Sequence, residues 1–141
     1  MALTADSISQ QIANKIATAT TIQPANIYQY EPQGGFTGYP AVTITLKNFE
    51  EKFADTARYE EHYQFSIKIY NEWVEQGSSN SESQFRKATN DIKTILNADP
   101  TLGGFMASGY TRTETGQPSW MKGPQVVERV MELVLNSWVI Q

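Results

Sequence analysis

The sequence contains no cysteine. Disulfides, thiolate metal sites and thiol nucleophiles are therefore excluded together, and the composition suits a reducing compartment. Positive charge is not in excess either. Against 15 Asp and Glu stand 11 Lys and Arg, a formal net charge of -4, which offers no sequence-independent attraction to a phosphate backbone. No apolar run reaches membrane-spanning length, and Met1-Ala2-Leu3-Thr4-Ala5-Asp6 has neither the basic stretch nor the apolar stretch of a secretory leader. The chain is expected to be cytosolic when made, with no membrane association.

Catalytic signatures are missing as well. His62, the one histidine, has no thiol to activate, and no serine sits in a Gly-x-Ser-x-Gly elbow. It reads as a surface position on a strand between Glu60 and Gln64. Glu60 and His62 would share a strand face, but a stable metal site wants a third or fourth ligand, and none can be assigned. Gly34-Gly35-Phe36-Thr37-Gly38 lacks the Gly-Lys-Ser/Thr ending of a phosphate loop, and no helical run follows it. Neither a cofactor, a metal nor an enzymatic activity is expected.

What is present is enough for one core. A chain of 141 residues, 40% hydrophobic and 11% aromatic, has the size and composition of a single globular domain over 1–141. Ile8, Ile12, Ile16 and Ala19 recur at helical steps behind a Thr4 cap, with Ser9, Gln10, Gln11 and Asn14 on the other side. A short strand is expected at Ile27–Glu31, feeding a Gly- and Pro-rich loop to Pro40. Val42, Ile44 and Leu46 then alternate with Thr43, Thr45 and Lys47, and a longer alternation runs from Arg58 to Tyr70. Phe49 and Phe53 between them show no clear period, and the reading favours a β-hairpin projecting from the sheet. Phe85, Ala88, Ile92, Ile95 and Leu96 mark a second helix, capped by Asn80 or Ser81 after a linker at Glu75–Asn80. Pro100 stops it at Ala98 or Asp99, and Gly103-Gly104 allows a sharp turn.

Phe105–Thr115 reads as a strand, Gly116–Pro124 as a loop, and Val126–Ile140 as a final strand chosen for its β-branched content. The expected fold is α+β, an antiparallel-rich mixed sheet with two packed helices in the order α-β-β-β-α-β-β. Trp120 and Met121 fall in the second loop, where an aromatic and a methionine suit a protein–protein anchor. Glu50, Glu51, Asp55, Glu60 and Glu61 cluster around the hairpin tip, a poor cleft for acid–base chemistry and a better repellent of polyanions. The last strand carries Met131, Leu133 and Leu135 on one face and Val130, Val134 and Trp138 on the other. Either a helix packs on each face, or the second set is covered by a neighbouring copy.

A set of features in order suggests a family. These are the N-terminal amphipathic helix, the loop Gly34–Tyr39 running into Pro40-Ala41-Val42-Thr43-Ile44, and the strand Tyr63-Gln64-Phe65-Ser66-Ile67-Lys68-Ile69-Tyr70. The turn Asp99-Pro100-Thr101-Leu102-Gly103-Gly104 and the Val- and Leu-rich closing strand complete it. Together they resemble the tail terminator, or tail completion, proteins of tailed bacteriophages. The resemblance implies a non-enzymatic structural protein that assembles in the host cytoplasm and resides in the virion. Its partners would be further copies of itself in a homo-hexameric ring, the tail tube protein and a neck or head–tail connector protein, with DNA only passing through the lumen.

On that reading Gly35, Phe36, Tyr39, Tyr110, Arg112, Trp120 and Met121 contact the tube or connector. The acids Glu50, Glu51, Asp55, Glu60 and Glu61 line the lumen or an interface, and Val130, Val134 and Trp138 join subunits. The alternatives are another neck or head-closure protein of the phage particle, or an α+β binding or enzymatic domain using the face around His62, Glu60 and Gln64.

Overall fold

The computed structural model describes residues 4–53, 58–73, 78–102, 109–122 and 127–140. The first helix, α1 (Ala5–Ile16), starts at the expected cap. Thr4 Oγ1 accepts from the Ser7 backbone N–H at 3.1 Å, and Ser7 Oγ accepts in return from the Thr4 N–H at 2.9 Å. Two donors that the first turn leaves without partners are thereby satisfied. Thr4→Ala is expected to cost about 1 kcal/mol, read as a drop in the thermal midpoint that Thr4→Ser does not cause. Ile8, Ile12 and Ile16 are fully buried, as their spacing demands. Ser9, expected on the polar side, is instead buried, because its hydroxyl donates to Gln29 Oε1 at 3.0 Å.

Strand β1 is only Ile27–Tyr28, shorter than the expected five residues. The chain leaves the sheet there because neighbouring side chains are drawn to opposite sides. Gln29 is tied to Ser9 and Gln10 of α1, while Glu31 crosses to the other sheet face to accept from Thr43 and Tyr70. Strands β2 (Ala41–Phe53) and β3 (Tyr59–Glu72) form the long antiparallel hairpin that the alternation suggested. Residues 54–57 at its tip, Asp55 among them, lie outside the described residues.

The lost period at Phe49 and Phe53 has a specific cause. Leu46 pairs with Phe65 and Asn48 with Gln64, so Lys47 is the extra residue of a β-bulge. The bulge resets the alternation, and Phe49 and Phe53 stay on the same face as Val42, Ile44 and Leu46.

Helix α2 (Ser78–Ala98) begins before the expected Asn80 or Ser81 cap. Ser81 is buried inside it, and its carbonyl accepts from Asn71 Nδ2 at 2.9 Å. The helix stops at Ala98, where Pro100 requires it. The left-handed residue after it is Leu102, at φ 53°, in place of the expected Gly103-Gly104, which lie outside the described residues. That conformation costs a non-glycine residue roughly 1–2 kcal/mol, set against burial of a leucine that is 2% exposed. Pro100 O then accepts both the N–H and the hydroxyl of Thr111, at 2.7 and 3.1 Å, fastening β4 (Gly109–Thr115) to the end of the helix.

The expected loop at Gly116–Pro124 is corrected in part. Ser119–Lys122 forms β5, paired with the start of β6 (Val127–Ile140), because Arg129 anchors Trp120 across that pair. The sheet runs β1-β2-β3-β6-β4, with β5 following β4 along the same edge of β6. Among the described strands only β1 is parallel to its neighbour. The architecture is α+β, with the element order expected plus β5. Both helices lie on one face, where Ile8, Ile12, Ile16, Ala88, Ile92 and Leu96 pack against Val42, Ile44, Phe65, Ile67, Leu133 and Leu135. The alternative of one helix per face is excluded.

Candidate functional site

The face turned away from the helices is not bare hydrophobic surface. It is a lattice of polar side chains on the central strands. Ser66 Oγ donates to Glu132 at 2.6 Å, and Lys47 reaches the same carboxylate at 3.5 Å. The Ser66 hydrogen bond, opposed by burial and assisted by Lys47, holds the Glu132 carboxyl below its ordinary value. Its contribution to stability is therefore present above the usual carboxylate range and lost as pH falls through the depressed folded value. Ser66→Ala is expected to move the Glu132 titration upward, measured on the carboxyl carbon by NMR, and an unmoved titration would remove Ser66 as the cause.

Farther along this face His62 stacks on Trp138, ring centroids 4.8 Å apart and 5° from parallel. Asn136 Oδ1 accepts from Gln64 Nε2 at 2.8 Å and lies 3.1 Å from His62 Nε2. His62 thus has an amide and an indole as neighbours, a packing role for a half-buried ring. Among the described residues no group of three or more His, Asp and Glu could hold a metal ion. No helix among them is long and apolar enough to cross a membrane.

At the end of this face remote from the hairpin tip, the loop before β2 folds over the sheet. Phe36 packs on Tyr70 at 4.7 Å and on Tyr39 at 5.8 Å, and together they cover Ala41 and Val130. Tyr39 donates to Glu128 at 2.7 Å, and Gly35 takes φ 84° to make the turn. Val130, 4% exposed, is thus covered by its own chain. Val134 and Trp138, half-buried, are what remains of the expected subunit interface on this face.

The expected contact residues separate into two groups. Phe36, Tyr39, Trp120 and Met121 sit at one end of the sheet, level with Tyr70 and Arg129. Tyr110 and Arg112 sit at the other, opposite Trp138 and Asn136. Trp120 is 53% exposed yet well held, edge-on to Trp73 at 4.6 Å with the Arg129 guanidinium 4.6 Å over its ring. Met121 is exposed on the opposite face of β5. The acids separate too. Glu50 and Glu60 point to the open face, while Glu51 and Glu61 stand opposite one another on the helix-side face of the hairpin.

No family model and no curated relative matches the chain. A solved structure does. A chain in the "Virion of native gene transfer agent (GTA) particle" is similar in fold, with a TM-score of 0.48 and 14% identity over 95% of this chain and 92% of that one.

Sequence reasoning missed one surface. On the helix-side face of the hairpin, Leu46, Phe49, Phe53 and Tyr59 are 48, 45, 77 and 42% exposed. The bulge hid this stripe, because a strict period of two assigns Phe49 and Phe53 to the wrong side. The signal that could have found it is the cross-strand pairing of aromatics, Phe49 with Tyr63 and Phe53 with Tyr59, at 4.8 and 4.9 Å between centroids.

Proposed function

We propose that this chain is a structural subunit of a tailed-phage particle, a tail terminator whose copies close into a hexameric ring on the tail tube. The ring stops tube growth and presents its other side to the neck or head connector. The observation that carries this reading is the hairpin, whose apolar face runs past the end of the helix layer into solvent. An arm of that kind is an assembly element, since monomers seldom leave contiguous aromatic surface exposed. The sequence resemblance supplies the kind of assembly. The strand edges of β2 beyond Thr45 and of β4, which no described strand pairs, add hydrogen-bonding capacity for neighbours.

Phe36, Tyr39, Trp120 and Met121, gathered at one end of the sheet, form the surface for the tube or connector. Glu50 and Glu60, on the open face, are the acids assigned to the lumen, where negative charge keeps passing DNA from adhering. The test is a tube-capping assay with purified chain, scored by the length distribution of polymerising tail tubes in electron micrographs. Wild-type chain is expected to arrest growth, and Trp120→Ala with Met121→Ala to lose the arrest while remaining folded. Binding to the portal end of filled heads in place of tubes would move the protein to the neck. Glu50→Lys with Glu60→Lys is expected to spare ring formation and impair DNA passage.

A further inference from the structure

We infer that the hairpin arm of one copy docks into a groove between α2 and the β4–β5 turn of the next copy, as a head-to-tail contact. The inference rests on the self-assembly part of the reading above and on none of its tail-specific part. Two surfaces of the same chain fit each other. The first is the helix-side face of the arm, where Phe49, Phe53 and Tyr59 are exposed; among the described residues of β2 and β3, its charged members are Glu51 and Glu61.

The second is a groove of about 420 Å³ with Phe85 and Met131 at its base, Gly116 and Pro118 along one wall, and Arg86 and Lys93 on the helix rim. The single carboxylate among its described lining residues, Glu82, is already engaged by Arg129 Nε at 3.3 Å and Arg86 Nε at 3.5 Å. Arg86 still has 75% of its side chain exposed, and Lys93 is exposed. An acidic aromatic face therefore meets an apolar groove with a basic rim. The Thr89 hydroxyl, which lines the groove, is buried without a hydrogen-bond partner. A polar group carried in by the arm would satisfy it, and a buried hydroxyl left alone costs stability. A volume of this size lies in the range that accepts ring-sized groups.

Geometry rules out self-docking. Tyr59 at the arm and Ile69, paired with Met131 at the groove, are ten residues apart on β3, roughly 33 Å at the rise of a strand. The arm also leaves from the β2–β3 side of the sheet, whereas the groove lies over β6 and β4. Each copy thus offers its arm to one neighbour and its groove to another. A contact of that heterologous kind closes into a ring if its rotation allows, and otherwise runs on as a filament.

Two variants test this by sedimentation velocity over a concentration series, with circular dichroism to verify folding. The arm variant is Phe53→Ser with Tyr59→Ser; the groove variant is Arg86→Glu with Lys93→Glu. All four positions are exposed, so both are expected to fold. Wild type is expected to form species larger than a dimer. Each variant alone is expected to be monomeric, with association weakened at least tenfold. Their equimolar mixture is expected to form a one-to-one dimer and nothing larger, since it retains one intact arm and one intact groove.

A wild type that stays monomeric at every concentration overturns the inference. So does a groove variant that assembles like wild type, which would indicate arm-to-arm pairing, and so does a mixture that stays monomeric. Tube capping is scored on the same samples. Variants that fail to pair as described yet still cap tubes would keep the tail reading and discard this interface.

Discussion

Phe65→Ala is expected to be the most damaging single truncation in the sheet, lowering stability by about 3–5 kcal/mol. Phe65 is 1% exposed at the middle of β3, between Leu46 on β2 and Leu135 on β6 in register. It belongs to the one cluster that joins both helices to the sheet. Removing the ring takes away its transfer free energy and leaves a cavity that rigid strands on both sides cannot close. For a domain of this size that loss lowers the thermal midpoint by roughly 10–20 °C. Denaturant melts would show a lower midpoint at unchanged slope. Phe53 gives the internal comparison, being the same residue type on the same face but 77% exposed. Phe53→Ala is expected to stay within about 0.5 kcal/mol of wild type. A Phe65→Ala variant that melts with Phe53→Ala would mean that the core does not lie between these strands and the helices.

Stability is expected to fall steeply above pH 10. Tyr63, Tyr70 and Tyr39 are each pushed well above the ordinary phenol value of 10.0, in every case first by burial and then by a carboxylate beside the hydroxyl. The carboxylates are Glu61 at 2.5 Å from the Tyr63 hydroxyl, Glu31 at 3.1 Å from that of Tyr70, and Glu128 at 2.7 Å from that of Tyr39. An ionised phenolate in any of these places would lose its hydrogen bond and face a negative charge. The raised folded value fixes the sign. Stability is fully present below pH 10, where both states hold their protons, and declines as pH rises toward the folded value, because only the unfolded chain releases them.

For the two most buried of the three, Tyr63 and Tyr70, the loss is about 1.4 kcal/mol per pH unit each. An alkaline titration followed by tyrosinate absorbance and circular dichroism is expected to show a major part of the ionisation coincident with unfolding. The double variant Tyr63→Phe, Tyr70→Phe should unfold over a broader and more alkaline range. Ionisation of these rings near pH 10 with the fold intact would refute the assignment.

Much of the fold was legible because side-chain period and secondary structure are coupled directly. The three isoleucines of α1 and the thirteen-residue alternation from Arg58 to Tyr70 each admit one reading, and each is realised. What escaped depended on contacts between segments far apart in sequence. The early end of β1 follows from Gln29 and Glu31 finding partners on α1, β2 and β3, and β5 exists because Arg129 gathers Trp120. The acids of the hairpin appeared as one cluster in sequence, although the strand pleat sends Glu50 and Glu60 to one side and Glu51 and Glu61 to the other. Val130 looked available to a neighbour because nothing local reveals that Phe36 and Tyr39, some ninety residues earlier, fold over it. The groove beside α2 is likewise a product of packing, lined by two stretches of chain whose relative position no periodicity encodes.

The bulge at Lys47 separates two properties of the hairpin that an ordinary strand ties together. In regular pairing, one residue gained or lost turns over every side chain beyond it. Here the extra residue already sits outside the pairing, so deleting Lys47 would leave Phe49, Glu51 and Phe53 on their present side and would change the local bend and twist, together with the Lys47 contact to Glu132. What the arm displays and where the arm aims can therefore vary independently. A lineage of such chains could adjust the curvature of an assembly, and with it the number of subunits needed for closure, by editing a single position without redrawing the surface that makes the contact.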